Sequence, residues 1–409
     1  MKSDASCPIM LVAAEAVSAA GDSLDHAWQA IKSKRSGLRA NTVAHCELDT
    51  FVGKVDAADD TPLDETDAEF ESRNNRLIAL ALARQSFIEQ VNAYRDRYGA
   101  ARIGLVMGSS TSSIDRTEDA YRTQGADTPI SFTDAYFQPK VFTPHAPGIY
   151  AGKRLGITGP TLTVNTACSS SAKVFATAKR WLDLNIVDAV VVGGADSLCL
   201  SVMYGFHSLQ LVSKNRCKPF DATRDGINLG EAACFALLTK QNKVVAEPQS
   251  LACVLEAYGE SSDAHHMSHP HPDGAGARLA IQKALSMAQA SACDIDYINL
   301  HGTASRANDL IEGKLVQSLF VNAGSDCAAS STKGWTGHTL GAAGILESLF
   351  AVKAMEHDYV PASLNFHKLD PEIGLSVQQE GQARKLNRVM SNSFGFGGNN
   401  ASLIFRKCA

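Results

Sequence analysis

The 409-residue chain has no run approaching the ~18 consecutive apolar residues needed to span a bilayer, so membrane insertion is not expected. It also lacks an excess of basic residues. Its 38 Lys and Arg stand against 43 Asp and Glu, giving a net charge of -5, so neither nucleic acid nor an anionic membrane surface is an expected partner. Met1–Pro8 carries no long apolar core of the signal-peptide kind, and Ile9–Ala14, cut short by Glu15, reads as a buried strand. A cytoplasmic location follows as an expectation. None of the ten cysteines forms a CxxC pair, and their spacings are wide and irregular. In a chain of this size they read as reduced thiols, most of them core filler. Low-complexity tracts and short-period repeats are missing too.

Short β-branched runs alternate with Ala/Leu-rich stretches, the pattern of an α/β protein with buried sheets. Strands are expected at Ile9–Ala13, Ile103–Met107, Thr161–Asn165, Ala189–Val192, Cys253–Tyr258, Tyr297–Leu300 and Ser402–Phe405. Helices are expected at Arg76–Tyr94, Ser169–Leu184, Ala277–Gln289, Asp309–Leu319 and Ala342–Glu356. The acid-rich Val55–Glu71 and the polar, aromatic Asp115–Pro147 read as excursions that cover a site or build a subunit interface. A weak long-period echo is present. Two strands, Ile103–Met107 and Tyr297–Leu300, run into small polar turns, and two small-residue helices begin beside a reactive residue. The echo points to two halves, 1–250 and 251–409, without deciding the matter.

Cys168 lies where an alternating strand stops and a helix of small residues begins, in Thr161-Leu162-Thr163-Val164-Asn165-Thr166-Ala167-Cys168-Ser169-Ser170-Ser171-Ala172. A thiol at a helix N-terminus faces unpaired N–H groups and the positive end of the dipole, which favours its thiolate. The alternative is a packed thiol in an Ala/Ser helix, and partner residues must decide.

Two histidines qualify as partners. His301 follows the strand Tyr297–Leu300, and His338 lies in Lys333-Gly334-Trp335-Thr336-Gly337-His338. Both stand at Gly-containing turns off apolar elements, where α/β sheets place ligand sites. His265, His266, His269 and His271 crowd one polar loop. No carboxylate or thiolate joins them at a settled ligand spacing, so no metal is expected. The loop Ser393-Phe394-Gly395-Phe396-Gly397-Gly398-Asn399-Asn400 precedes a terminal strand rather than a helix, which argues against a phosphate cradle. It reads as a tight turn whose N–H groups point into a site and whose Phe ring closes it.

Taken together these runs resemble the elongating, Cys-His-His class of β-ketoacyl-acyl-carrier-protein synthases over nearly the whole chain. The resemblance rests on Thr166-Ala167-Cys168-Ser169-Ser170, Gly193-Gly194-Ala195-Asp196, Pro219-Phe220-Asp221, Arg224-Asp225-Gly226 and Gly230-Glu231-Ala232. It continues through Ser262-Asp263-Ala264 with His266, His301-Gly302-Thr303, Lys333 with Gly337-His338, and Asn392 to Gly398. It implies an α/β fold of the thiolase type, with duplicated βαβαβαββ halves in five-layer αβαβα packing. It implies Cys168 as the nucleophile that carries an acyl chain, with the N–H groups of Cys168 and Phe396 as oxyanion hole. It makes His301 and His338 the pair that faces a malonyl thioester, with Lys333, held by Glu347, orienting them. Thr303 and Ser305 match positions that bind the pantetheine arm, and Phe396 matches a gate. Arg73, Arg76, Lys214 and Arg216 fall where basic residues meet an acidic acyl carrier protein. No cofactor of the enzyme's own is implied, since phosphopantetheine arrives on the carrier. Members of the class are usually dimers, and a heterodimer with a related subunit is the alternative.

The chain departs from the family pattern in places. Ser305 stands for the usual Thr, Asn399 for the Thr after the final Gly pair, and Val12–Val17 lacks the Gly-rich start of housekeeping synthases. Together with the divergent Ser109–Thr117 and Asp134–Pro147 regions, these departures point to specialised polyene or polyketide assembly. A thiolase would need a second, C-terminal Cys before a Gly, and a starter-type synthase would carry Asn at His338. A non-catalytic chain-length subunit would have lost the cysteine, and Cys168 is present.

Overall fold

A chain that buries strands on both faces needs helices on both sides of every sheet, and the computed structural model shows how they are supplied. It describes residues 7–123 and 140–408; the middle of the Asp115–Pro147 excursion, residues 124–139, lies outside them. The excursion opens as the helix Ile114–Thr123.

Ten strands make the main sheet. They are β1 (Ile9–Ser18), β2 (Ile103–Gly108), β3 (Thr161–Val164), β4 (Ala189–Asp196), β5 (Ala232–Lys240), β6 (Cys253–Ser262), β7 (Tyr297–Asn299), β8 (Ala328–Ser330), β9 (Arg388–Gly395) and β10 (Asn399–Lys407). Their order is β8-β7-β9-β10-β6-β1-β5-β4-β2-β3. From the centre outward, β1-β5-β4-β2-β3 repeats as β6-β10-β9-β7-β8. In both halves the first two pairings are antiparallel and the next two parallel. A short antiparallel pairing of β1 with β6 joins the halves.

Among the described helices that cover this sheet are α1 (Arg73–Ala81), α2 (Gln85–Tyr98), α3 (Ala146–Leu155), α4 (Ser170–Asp183), α5 (Ala275–Met287), α6 (Arg306–Leu319) and α7 (Ala343–Glu356). Helices α4 and α7 lie between the two halves, with Phe175, Ile345 and Leu349 packed among Val190, Ala236, Val389 and Leu403. Outside, α1, α2 and α3 cover the first half and α5 and α6 the second, completing five αβαβα layers. Helix α7 is buried from Ala343 to Met355, its apolar residues spread round the axis and its buried Glu347 and Lys353 each paired. The close packing depends on missing side chains: a Cβ on Gly344 would stand 2.5 Å from the main-chain nitrogen of Ala172.

Two differences from the sequence reading have clear causes. The single helix expected over Arg76–Tyr94 is two, broken between Ala81 and Gln85. Leu77, Ile78 and Ala81 face the core from the first, and Phe87, Val91 and Tyr94 from the second. One unbroken helix would carry the stripe from Ala81 onto Arg84 and Gln85, so the break re-phases it. Strand β5, Ala232-Ala233-Cys234-Phe235-Ala236-Leu237-Leu238-Thr239-Lys240, was not expected because it lacks β-branched residues over most of its length. Burial on both faces overrides that weak propensity.

Candidate active site

Strand β3 stops at Val164, and the chain turns sharply before α4. Ala167 takes a left-handed φ of +52°, a conformation costly for a non-glycine residue, and the next residue is Cys168. The helix begins at Ser170 with Ser169 as its N-cap, so the thiol stands just ahead of the first turn rather than in it. Burial pushes the Cys168 thiol up to about 11, against the opposing pull of the Phe396 N–H and the Lys333 ammonium. The expectation of a favoured thiolate is therefore corrected. In this dry site desolvation outweighs the helix end, and the resting group is a thiol.

The base for that thiol comes from the other half of the chain. Nε2 of His338 lies 3.0 Å from Sγ of Cys168. The His301 ring stands edge-on to that of His338, with centroids 5.4 Å apart. The ligand atoms of Cys168, His301 and His338 all lie within 4.8 Å of one another. Burial, reinforced by the positive charge of Lys333, holds both imidazoles neutral well below the usual histidine range.

Backbone anchors place the two histidines. The N–H of His301 and of Gly302 donate to the two carboxylate oxygens of Glu312 on α6, each at 2.8 Å. The Ser331 hydroxyl donates to the Gly302 carbonyl at 2.7 Å. Behind His301, Lys333 donates to its main-chain oxygen and to Glu347 on α7, and Nζ lies 3.5 Å from Nδ1. The N–H of His338 donates to the Asn228 carbonyl at 2.8 Å.

A cavity of about 430 Å³ opens from Cys168, His301 and His338 past Thr303 and Phe396. The Thr303 hydroxyl donates to Ser305 Oγ at 3.0 Å, and Ser305 caps α6. Phe396 packs on Phe206 with ring centroids 5.2 Å apart. The loop carrying it is tied on three sides. Gly397 N–H donates to the Met267 carbonyl, Asp263 N–H donates to the Gly398 carbonyl, and Lys173 donates to Asn399 Oδ1 at 3.1 Å. The main-chain N–H groups of Phe396 and Cys168 both act on the thiol in the direction that favours its thiolate, against burial.

Comparison with known proteins decides what kind of site this is. Residues 6–243 match the Beta-ketoacyl synthase, N-terminal domain, and residues 252–367 the C-terminal domain of the same family. The 3-oxoacyl-[acyl-carrier-protein] synthase 2 of Synechocystis is 31% identical over 96% of both chains. The chain belongs to the β-ketoacyl synthase family. It is accordingly an acyl-transferring enzyme that forms a carbon–carbon bond. Among solved structures, a chain from the complex of the ketosynthase ApeO with its chain length factor ApeC, from Xenorhabdus doucetiae, is 36% identical. The two superpose with a TM-score of 0.84, and the match covers 98% of each chain. A β-ketoacyl synthase from Burkholderia phymatum is 26% identical with a TM-score of 0.83, the match covering 98% of this chain and 100% of that one.

Within this synthase the four basic residues singled out from the sequence divide into two pairs. Arg73 is turned inward. Its guanidinium donates to both carboxylate oxygens of the fully buried Glu231 and to Asp59, and its side chain is 16% exposed. Arg76 is bound to Glu71 at 2.6 Å and to the carbonyls of Ala58 and Asp59. Both guanidinium groups are thus already paired within the chain, Arg73 in a buried setting and Arg76 in a half-buried one. Lys214 and Arg216 are exposed on a loop that Asp225, a cavity-wall residue, ties down through Ser213 and Asn215.

Three structural carboxylates escaped the sequence reading. Glu312 and Asp309 form an i, i+3 acidic pair on the buried face of α6, a pattern whose signal was present but unused. Asp196 accepts from the hydroxyls of Ser109, Ser110 and Thr111, from the N–H groups of Ser110 and Thr111, and from the Gly341 N–H, joining the turn after β2 to the segment that follows His338. Its position in Gly193-Gly194-Ala195-Asp196 gave no hint of those partners.

Proposed function

We propose that the synthase condenses an acyl chain held on Cys168 with a malonyl unit on an acyl carrier protein, losing CO2. The contact between Sγ of Cys168 and Nε2 of His338, with His301 across from it, carries this reading.

In the first step His338 accepts the thiol proton as sulfur attacks the acyl thioester. The raised thiol makes this proton transfer part of the attack rather than a prior ionisation. The N–H groups of Cys168 and Phe396 hold the tetrahedral oxyanion, worth ~3–4 kcal/mol. The pantetheine thiol leaves with a proton, and the acyl group stays on Cys168. The malonyl thioester then enters past Thr303 and Ser305. Neutral imidazoles at His301 and His338 donate N–H bonds to the thioester oxygen as the carboxylate departs as CO2 and the enolate forms. The enolate carbon attacks the acyl-Cys168 carbonyl, the C–S bond breaks, and the released thiolate takes up one proton from solvent, the first having left with the pantetheine thiol. Lys333 and Glu347 act as positioning residues. Phosphopantetheine is substrate on the carrier, and no resident cofactor is invoked.

The substrate class we favour is a specialised one, in polyene or polyketide assembly. Supporting it are the hydroxyl-rich turn at residues 109–113 and the Lys173–Asn399 bond behind the gate. The carrier protein would meet Lys214 and Arg216. A second subunit, a copy of this chain or a related one, would pair with β3. That strand is the outer edge of the sheet, with Leu162 on it and Ile149 on α3 both exposed. The chain-length-factor partner of the Xenorhabdus relative makes a related subunit the second candidate. No helix among the described residues is long and apolar enough to cross a membrane, in keeping with a cytoplasmic enzyme.

The test is condensation with malonyl carrier protein and a panel of saturated and polyenoyl carriers, with and without a related subunit. Faster turnover of polyenoyl chains is expected. Preference for saturated chains would contradict the specialised role, and no β-ketoacyl product from any member would contradict the reaction.

A further inference from the structure

We propose that Cys168, His301 and His338 also form a binding site for a divalent transition-metal ion of the zinc class. Such an ion would occupy the cavity floor in place of the acyl thioester and block the synthase reversibly. The inference uses the site's geometry and not the reaction assigned to it, so binding is measured without substrate.

Thiolate and imidazole are both zinc ligands, and three protein ligands with an open fourth position are the pattern of catalytic zinc sites. Ligand lengths of ~2.3 Å to sulfur and ~2.0–2.1 Å to nitrogen place sulfur and nitrogen about 3.5 Å apart, and the two nitrogens about 3.3 Å, around a tetrahedral ion. Here Sγ and Nε2 of His338 are 3.0 Å apart, and all three ligand atoms fit within 4.8 Å. Shifts of about 1 Å therefore close the site.

The surroundings permit those shifts. Nδ1 of His338 has no hydrogen-bond partner among the described residues, so the ring has no second anchor to resist a small rotation. The Cys168 thiol gives up its proton to solvent as the S–metal bond forms, and water from the cavity fills the fourth position. Lys333 opposes a dication here. Its charge is offset by Glu347, and Glu312 stands behind His301 as a further carboxylate.

The chain offers a rival site on its surface. His266 and His269 have Nδ1 atoms 3.1 Å apart, with Ser268 Oγ beside both, but that loop holds no cysteine and so contributes no thiolate. Cobalt(II) therefore distinguishes the two as a zinc stand-in, since only a thiolate ligand gives an intense sulfur-to-metal charge-transfer band. Titration of the full chain with Co2+ is expected to develop that band with one equivalent, and Zn2+ is expected to abolish it. Cys168→Ala, and wild-type protein alkylated at Cys168, should show no band. His338→Asn should weaken binding at least tenfold, and a His266→Ala/His269→Ala double variant should bind as the wild type does. A band that persists without a free Cys168, or no band at saturating Co2+, overturns the proposal.

Discussion

Lys333 and Glu347 form an ion pair in the interior, their side chains only 1% and 4% exposed, and the same ammonium donates to the main-chain oxygen of His301. A charge buried this deeply is tolerated only while its partner remains, so single and double substitutions should differ in kind. Glu347→Leu is expected to cost about 3–5 kcal/mol of unfolding free energy, because it strands the ammonium. Lys333→Met with Glu347→Leu should recover most of that loss in urea denaturation. It should still condense poorly, because His301 has lost its support. Equal stability of the single and double variants would contradict the pairing.

Two buried histidines and two buried glutamates at the site pull the pH response in opposite directions. His301 and His338 are held well below their ordinary value by burial, so the unfolded chain takes up protons near pH 6.5 that the folded chain refuses. Their contribution to stability falls as pH drops below 6.5. Burial raises Glu312 and Glu347 to about 7, so the folded chain keeps their protons. That contribution is complete below pH 4.5 and is lost as pH rises through 7. The two effects offset each other in mildly acid solution, and a variant separates them. His301→Asn should gain stability relative to the wild type by about 1.4 kcal/mol per pH unit below 6.5. Urea titrations at about pH 8 and about pH 5.5 check this, and a constant difference would show that His301 titrates normally.

Asp196 joins the turn after β2 to Gly341, and all its partners are donors. Asp196→Asn turns one acceptor into a donor among them. A loss of about 2–4 kcal/mol is expected, from unsatisfied buried groups. Because Gly341 follows His338 closely, kcat should fall further than KM rises. A variant with wild-type melting and kinetics would remove Asp196 from the account.

Much of this site was legible in the sequence because strand ends and small-residue helices leave local marks. Cys168 showed itself by a strand that stops and a run of Ser and Ala, and His301 by a strand running into His-Gly-Thr. Their meeting was not legible by that route. Nothing local to Cys168 says that a residue from the second half lies 3.0 Å from its sulfur. Motif order along the chain supplied that link. What stayed hidden has the same origin. Arg73 looks like a surface charge until Glu231, far along the chain, comes to lie beneath it. Asp196 looks like a strand terminus until residues 109–111 and Gly341 close around it. The thiol's resting state depends on how dry the site is, which no local motif records.

The central claim is that Cys168 carries the acyl chain. Intact-protein mass spectrometry after incubation with an acyl carrier thioester tests it most directly. The account predicts a mass increase of one acyl group per chain, discharged by malonyl carrier protein as β-ketoacyl product. With Cys168→Ala it predicts no acyl adduct, while decarboxylation of the malonyl carrier remains detectable. An adduct of equal occupancy in Cys168→Ala, or elongation at the wild-type rate without one, would contradict it.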